Sequence, residues 1–283
     1  MIALPNISRP QSCNVAAIHD LSGFGRCSLT AAIPILSAMG IHCCPLPTAI
    51  LSNQTGFADF SYLDFTPYMP DFITHWQRLG LAFRAIYTGF LGSEDQVDVV
   101  ADFIRAFRTP ETIVAVDPVM GDNGRRYPTF SDRMCGRMKK LVRQADIVFP
   151  NLTEAVLLTG CRTPIDRLGE PDIAALAEEI AALGPRQVIV TGVAQPDAVT
   201  NYLFDFHTGE RMAIGSGYNH KSYSGTGDIF ASVVCGGLTR GESLPDAVRR
   251  AVDFIKRAVD YTEACEGDTR AGVLFEPFLK ELG

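Results

Sequence analysis

The stretch "SYSGTGDIF", residues 222–230, sets two glycines around a threonine and follows them at once with Asp228 and an apolar run. A glycine turn that opens into a helix offers free backbone amides and the positive end of the helix dipole, and both favour an anion. Gly225 and Gly227 let the backbone approach a ligand closely and reach positive φ. "DIFASVVCGGL" reads as the helix itself. Asp228 then has two readings. It caps the helix, as acidic residues in a first turn do. Or it takes a proton from a hydroxyl while the amides of Gly225, Thr226 and Gly227 hold an incoming phosphoryl group, which is general-base work beside anion stabilisation. No G-x-x-x-x-G-K-[ST] loop occurs in the chain, so this is not a Walker A turn.

Other polar clusters follow apolar runs. In "DPVMGD" (117–122), Asp117 and Asp122 are either turn formers or a pair of carboxylates suited to a metal and nucleotide phosphates. In "NLTE" (151–154), Asn151 and Glu154 have the spacing of a helix cap. Thr191-Gly192 reads as a turn that ends a strand, and Tyr127 as a loop aromatic.

These residues need a scaffold. "NVAAIH" (14–19), "RAIYTG" (84–89), "TIVAVDP" (112–118), "ADIVFP" (145–150) and "QVIVTG" (187–192) are strand candidates of nearly continuous apolar character, as parallel strands covered on both faces require. Helical patterns lie between them. Ser93 and Gln96 have capping-box spacing ahead of Val97, Val100, Ile104 and Phe107. Ile173, Leu176, Ile180 and Leu183 form a second stripe between Asp172 and Gly184, and Val248, Val252, Ile255 and Val259 a third. The alternation predicts an α/β fold with a doubly wound, mostly parallel sheet flanked by helices. "TNYLFDFHTGERMAIGSG" (200–217) breaks the rhythm as an antiparallel hairpin turning near Thr208-Gly209. No repeat or linker is visible, so one domain is expected over 1–283, with 1–13 as an irregular N-terminal extension. Ligands in such sheets sit beyond the carboxyl ends of the strands, where these polar clusters lie.

Composition narrows the partners. The net charge of −7 and the lack of a Lys/Arg block argue against nucleic acid and anionic membranes. No run spans a bilayer and the N-terminus lacks a signal-peptide pattern, so a cytoplasmic protein is expected. Six of the eight cysteines are scattered and two are adjacent, with no C-x-x-C pair, so neither zinc nor redox chemistry is indicated.

With "GTGD" ahead of a helix in an α/β chain of this length, the sequence resembles the ribokinase superfamily. "IHDLSGFGRCS", "LSNQTGF" (51–57), "YTGFLG" (87–92), "DPVMGD" and "FPNLTEAVLLTG" (149–160), in that order, narrow the likeness to the pyridoxal kinase and hydroxymethylpyrimidine kinase branch over about residues 14–280. The resemblance implies ATP-dependent phosphorylation of the 5′-hydroxymethyl group of a vitamin B6 vitamer, with Asp228 as base and the GTGD amides as anion hole. It implies Mg²⁺ at Asn151 and Glu154, often through water, with Asp117 beside them, nucleotide contacts at Asp122, Tyr127 and Thr191, a homodimer, and a monovalent cation such as K⁺. It places Asp20, Thr55 and Phe90 at the acceptor. Asp20 and Phe90 depart from the serine and tyrosine of many pyridoxal kinases; an aspartate there would favour an amine-bearing vitamer such as pyridoxamine. Phe149 replaces a frequent threonine and removes a hydroxyl contact to phosphate. Dual-function relatives often carry a reactive cysteine just after D-P-V-M, where this chain has Gly121-Asp122. The alternatives are a hydroxymethylpyrimidine kinase of thiamine synthesis and a non-catalytic B6-binding protein.

Overall fold

The computed structural model describes residues 13–127 and 130–283; apart from Cys13, the expected extension at 1–13 lies outside the described residues. In chain order the elements are β1 (Asn14–Ser22), α1 (Ser28–Ala38), β2 (His42–Leu51), β3 (Tyr62–Asp64), α2 (Met69–Arg78), β4 (Ala85–Thr88), α3 (Glu94–Phe107) and β5 (Ile113–Val116). Then come β6 (Gly121–Asp122), β7 (Arg125–Arg126), α4 (Asp132–Val142), β8 (Ile147–Val148), α5 (Leu152–Thr159) and α6 (Glu170–Ala181). The chain closes with β9 (Gln187–Ala194), β10 (Ala198–Asp205), β11 (Arg211–Gly217), α7 (Thr226–Thr239) and α8 (Leu244–Ala264).

Among the described residues, nine strands form one sheet in the order β11-β10-β9-β8-β5-β4-β1-β2-β3. From β9 to β2 all neighbours are parallel, while β3, β10 and β11 pair antiparallel at the two ends. The apolar character of β1 follows from this placement. Val15 and Ala17 pack with α1, α7 and α8 on one face, and Ala16 and Ile18 with α3 to α6 on the other. A central parallel strand buried on both sides has no polar face to show.

The helices keep their expected stripes: Val97, Val100, Ile104 and Phe107 are buried on α3, as are Ile173, Leu176 and Ile180 on α6. Each such side chain contributes about 1.5–3 kcal/mol of burial. The cap of α3 is half of the expected box. Ser93 Oγ accepts from the Gln96 amide at 3.3 Å, but the Gln96 side chain accepts from Gly92 and donates to the Thr48 carbonyl and Thr66 Oγ1, tying α3 to β2. The hairpin spans β10 and β11 and turns at Gly209, φ +80°, as its sequence required.

Several elements have no counterpart in the sequence expectations, β2 and α1 among them. β2 carries Pro45 and Pro47 in register with Ala17 and His19 of β1, and β3 pairs only with Ala49, Ile50 and Leu51, so on its other side this stretch of β2 is a sheet edge, where proline is tolerated. α1 carries Pro34 in its interior, which hides it from propensity reasoning.

Candidate active site

The parallel strands deliver their carboxyl ends to one side of the sheet, and α7 begins there. The Tyr87 hydroxyl, on β4, donates to the Asp228 backbone carbonyl at 3.3 Å and pins the first turn of α7 over the strand ends. Gly225 caps α7 at φ +78°, and a Cβ there would lie 2.0 Å from the Arg26 carbonyl. Only glycine fits. Gly227 differs from its expected role: its φ is not positive, and a Cβ would meet nothing within 4 Å. The exposed side of Gly227 leaves this first turn open to a ligand, and free first-turn amides favour an anion. Thr226 donates its hydroxyl to the Tyr223 carbonyl, closing the turn.

Asp228 lies in this turn with its side chain 15% exposed. Burial pushes its carboxyl up to about 7; the Asp20 charge adds to the rise and the Ser28 amide opposes it. A carboxylate poised near neutrality suits general-base work. His19, fully buried on β1, places Nδ1 4.0 Å from Asp228 Oδ1, and burial lowers its pKa to about 3, so the ring is neutral.

Asp117 follows β5 and is buried, its carboxyl held well above the usual range by burial and by the charges of Glu154 and Asp228. Glu154 is pushed up to about 8, chiefly by burial. Both carboxyls belong to one cluster with Asp228. Asn151 and Glu154 also form the helix cap in full: Asn151 Oδ1 accepts from the Glu154 amide at 3.0 Å and Glu154 Oε2 from the Asn151 amide at 2.9 Å. Glu154 Oε1 accepts from the Met120 amide at 3.0 Å. Capping and site are thus one arrangement, because the cap holds a carboxylate at the strand ends. Tyr127 closes the group: burial and the charges of Glu154, Asp122, Asp117 and Asp228 all raise its phenol.

Asp122 is exposed at the edge of this group, its charge helping to raise both Glu154 and Tyr127, with both oxygens accepting from Asn123. It opens a tight hairpin between β6 and β7 whose corner, Asn123-Gly124, has positive φ at both positions. The Asn-Gly dipeptide is a strong hairpin signal that the sequence reading did not use. Thr191 lies beside Asn151 through a parallel bridge. It does not end its strand, because β9 runs on to Ala194 past Gly192, whose amide donates to Asn201 Oδ1.

On the acceptor side, Asp20 is buried inside β1 and accepts from Ser22 Oγ at 2.8 Å. Phe90 follows β4 and packs against Phe130, with its carbonyl taking the Thr48 hydroxyl. Thr55 is exposed at the tip of its turn, and the buried side chain of that stretch is its neighbour Gln54. Tyr62, on edge strand β3, is a further candidate: its hydroxyl reaches over Gly92, and the Asp64 and Asp20 charges raise its phenol after burial. No local pattern marks it. Phe149 is core, against Phe230. Burial and the charges of Asp228 and Asp20 keep Cys27 a thiol.

A family profile described as phosphomethylpyrimidine kinase matches residues 27–272. A pyridoxine/pyridoxal/pyridoxamine kinase of Bordetella avium is 30% identical over 278 residues, covering 91% of this chain and 88% of its own. A Bacteroides thetaiotaomicron structure described as a phosphomethylpyrimidine kinase, in a form with pyridoxal, is 42% identical, covers 95% of each chain and superposes with a TM-score of 0.91. The pyridoxal kinase of Lactobacillus plantarum is 30% identical, covering 95% of this chain and 96% of its own, with a TM-score of 0.87.

Proposed function

The chain belongs to the phosphomethylpyrimidine kinase family, and we propose that within it the protein transfers the γ-phosphoryl group of ATP to the 5′-hydroxymethyl group of a vitamin B6 vitamer. The observation that carries this reading is the turn at Gly225. It opens α7 with a first turn whose Gly227 is unobstructed and sets Asp228, held near neutrality, beside it. Asp228 takes the hydroxyl proton as the phosphoryl group arrives in line, and the amides of Thr226 and Gly227 face the charge on that group. Positioning and charge stabilisation suffice, so no covalent intermediate is required.

The donor set fits a divalent cation. Asp117 and Glu154 are buried carboxyls, the charge of Glu154 helps to raise Asp117, and a hard cation would relieve that repulsion. Asp117 and, through water, Glu154 would hold Mg²⁺, since both Glu154 oxygens already accept backbone amides. Mg²⁺ would supply charge neutralisation at the phosphates. Asn151, Tyr127, Thr191 and Asp122 border the nucleotide side of the same strand ends. Asp20, Thr55 and Phe90 belong to the acceptor side, where Asp20 favours the amine of pyridoxamine. The chain acts as one kinase domain in the cytoplasm, and no described helix is long and apolar enough to cross a membrane. Leu63, Tyr68 and Leu79 are exposed along β3 and α2 beside an unpaired strand edge, which supports a homodimer. A monovalent cation beside the anion turn completes the reading.

The description of the family profile favours one second reading, a hydroxymethylpyrimidine acceptor. A coupled ADP-release assay with ATP and Mg²⁺ compares pyridoxal, pyridoxine, pyridoxamine and hydroxymethylpyrimidine. Highest turnover with a B6 vitamer is the expected result. Turnover confined to the pyrimidine overturns the vitamer assignment, and binding of vitamers without any turnover makes the protein a binding module.

A further inference from the structure

The acceptor loop and the phosphate turn are joined by a single buried side chain. Gln54 lies in the loop after β2, between Asn53 and Thr55, and is 8% exposed. Its Nε2 donates to the Arg270 carbonyl at 2.6 Å and reaches Ser224 Oγ at 3.4 Å, one residue before the Gly225 cap. Its Oε1 accepts from the Gly56 amide at 2.7 Å, which folds its own loop, and its backbone amide donates to the Phe24 carbonyl at 2.9 Å in the loop after β1. Three chain segments that approach only in the folded state therefore meet on one amide group.

The surroundings are shaped to it. A Cβ on Gly25 or on Gly56 would lie 2.7 Å from Gln54 atoms, so both glycines make room for this side chain. Beyond it, Ser224 donates its amide to the Thr269 carbonyl and Arg26 donates to the Ala271 carbonyl, so the 269–271 turn braces the start of α7. Arg270 also stacks over Phe57, 5.0 Å from the ring centre, which closes the far side of the acceptor loop.

We propose that Gln54 is a positioning residue that couples the acceptor site to the phosphoryl site: order imposed on residues 52–57 by a bound vitamer passes through its amide to the 224–225 turn and sets the first-turn amides of α7. The two ligands then bind cooperatively, because the second meets loops that the first has already ordered. This inference rests on the vitamer kinase reading above.

The test measures binding without turnover. Calorimetry gives the Kd of ADP, with Mg²⁺, in the absence and presence of saturating pyridoxal, and then the reverse. In the wild-type chain each ligand is expected to tighten the other by the same factor, roughly 5-fold or more, within the usual range of coupling. Q54E keeps an oxygen for the Gly56 amide but sets a carboxylate against the Arg270 carbonyl, so the loop keeps its fold and loses the link. Its coupling factor should fall towards one while each ligand alone binds within about threefold of wild type. Should Q54E not fold, S224A removes the lesser contact and should reduce the factor in part. A wild-type chain that binds both ligands without coupling, or a folded Q54E that keeps the full factor, overturns the link. A wild-type chain that binds neither overturns the kinase reading itself.

Discussion

His19 and Asp228 face each other across 4.0 Å at the heart of the site, and both ring nitrogens of His19 are buried without a protein partner among the described residues. The imidazole stands edge-on to Tyr87, at 4.2 Å between ring centres, and lies so close over Gly89 that a Cβ there would be 2.2 Å from Nδ1. Its position is therefore fixed by packing. Gly89→Ala should displace the ring, at a stability cost of about 1–3 kcal/mol with a fall in kcat. In a double-mutant cycle by thermal denaturation, the cost of Gly89→Ala should shrink when His19 is already alanine. Additive costs would mean that the ring does not occupy that space.

Asp228→Asn removes the base and leaves the helix start intact. A loss of roughly 10²–10⁴ in kcat is expected, with little change in ADP affinity. Steady-state kinetics and calorimetry on the same preparation check both halves. Turnover like that of the wild type would take the base role from Asp228.

The pH profile should carry the mark of that carboxyl. The base works deprotonated, so kcat/KM should rise with pH, reach half its plateau near 7 and level off above. The neutral His19 ring, with a pKa of about 3, does not titrate in this range. Asp20→Asn removes a charge that helps raise the Asp228 carboxyl, and its acid limb should move to lower pH. A limb that stays in place in this variant would separate the two carboxylates.

The two glycines of the phosphate turn should part company. Gly225→Ala must abandon φ +78° and collide with the Arg26 carbonyl, so the folded state should be severely weakened. Gly227→Ala meets nothing and lies in a helix, so its melting temperature should match or exceed that of the wild type. Its turnover should fall, because the methyl group intrudes where the phosphoryl group approaches. Equal melting temperatures for the two variants would refute this division.

Stability should depend on pH against the usual direction for carboxylates. Asp228, at about 7, and Glu154, at about 8, hold protons more tightly in the folded chain than in the unfolded one, where such groups titrate near 4. Their contribution is complete below about pH 4 and is lost as pH rises through 7 to 8. The melting temperature without metal should therefore drop between pH 6 and 8.5. Added Mg²⁺ should raise it more at pH 8.5 than at pH 6, since the cation replaces the missing protons. Calorimetric scans with and without MgCl₂ read both effects, and an increment independent of pH would place the cation away from these carboxyls.

Local chemistry made much of this protein legible in its sequence. A buried parallel strand announces itself by an unbroken apolar run, as β1 does, and a helix start by a side chain that caps it, as Ser93 and Asn151 do. The GTGD turn is local as well: a cap with φ +78°, followed by a helix, is written in adjacent residues. So are the carboxylates that follow strands, and their order identified the family. The signal failed where a partner from far along the chain decided the outcome. β2 carries its two prolines in the stretch that β3 leaves uncovered, and α1 holds Pro34 with α7 packed against its buried face. At the site, the tertiary structure buried Gln54, left Thr55 exposed and brought Tyr62 towards Asp20. It also made Glu154 at once a helix cap and a member of the carboxylate cluster. Residue types and spacing specify what a side chain is able to do. Which groups share a buried space, and so shift one another's protons, follows from the tertiary fold, which joins segments as much as 250 residues apart.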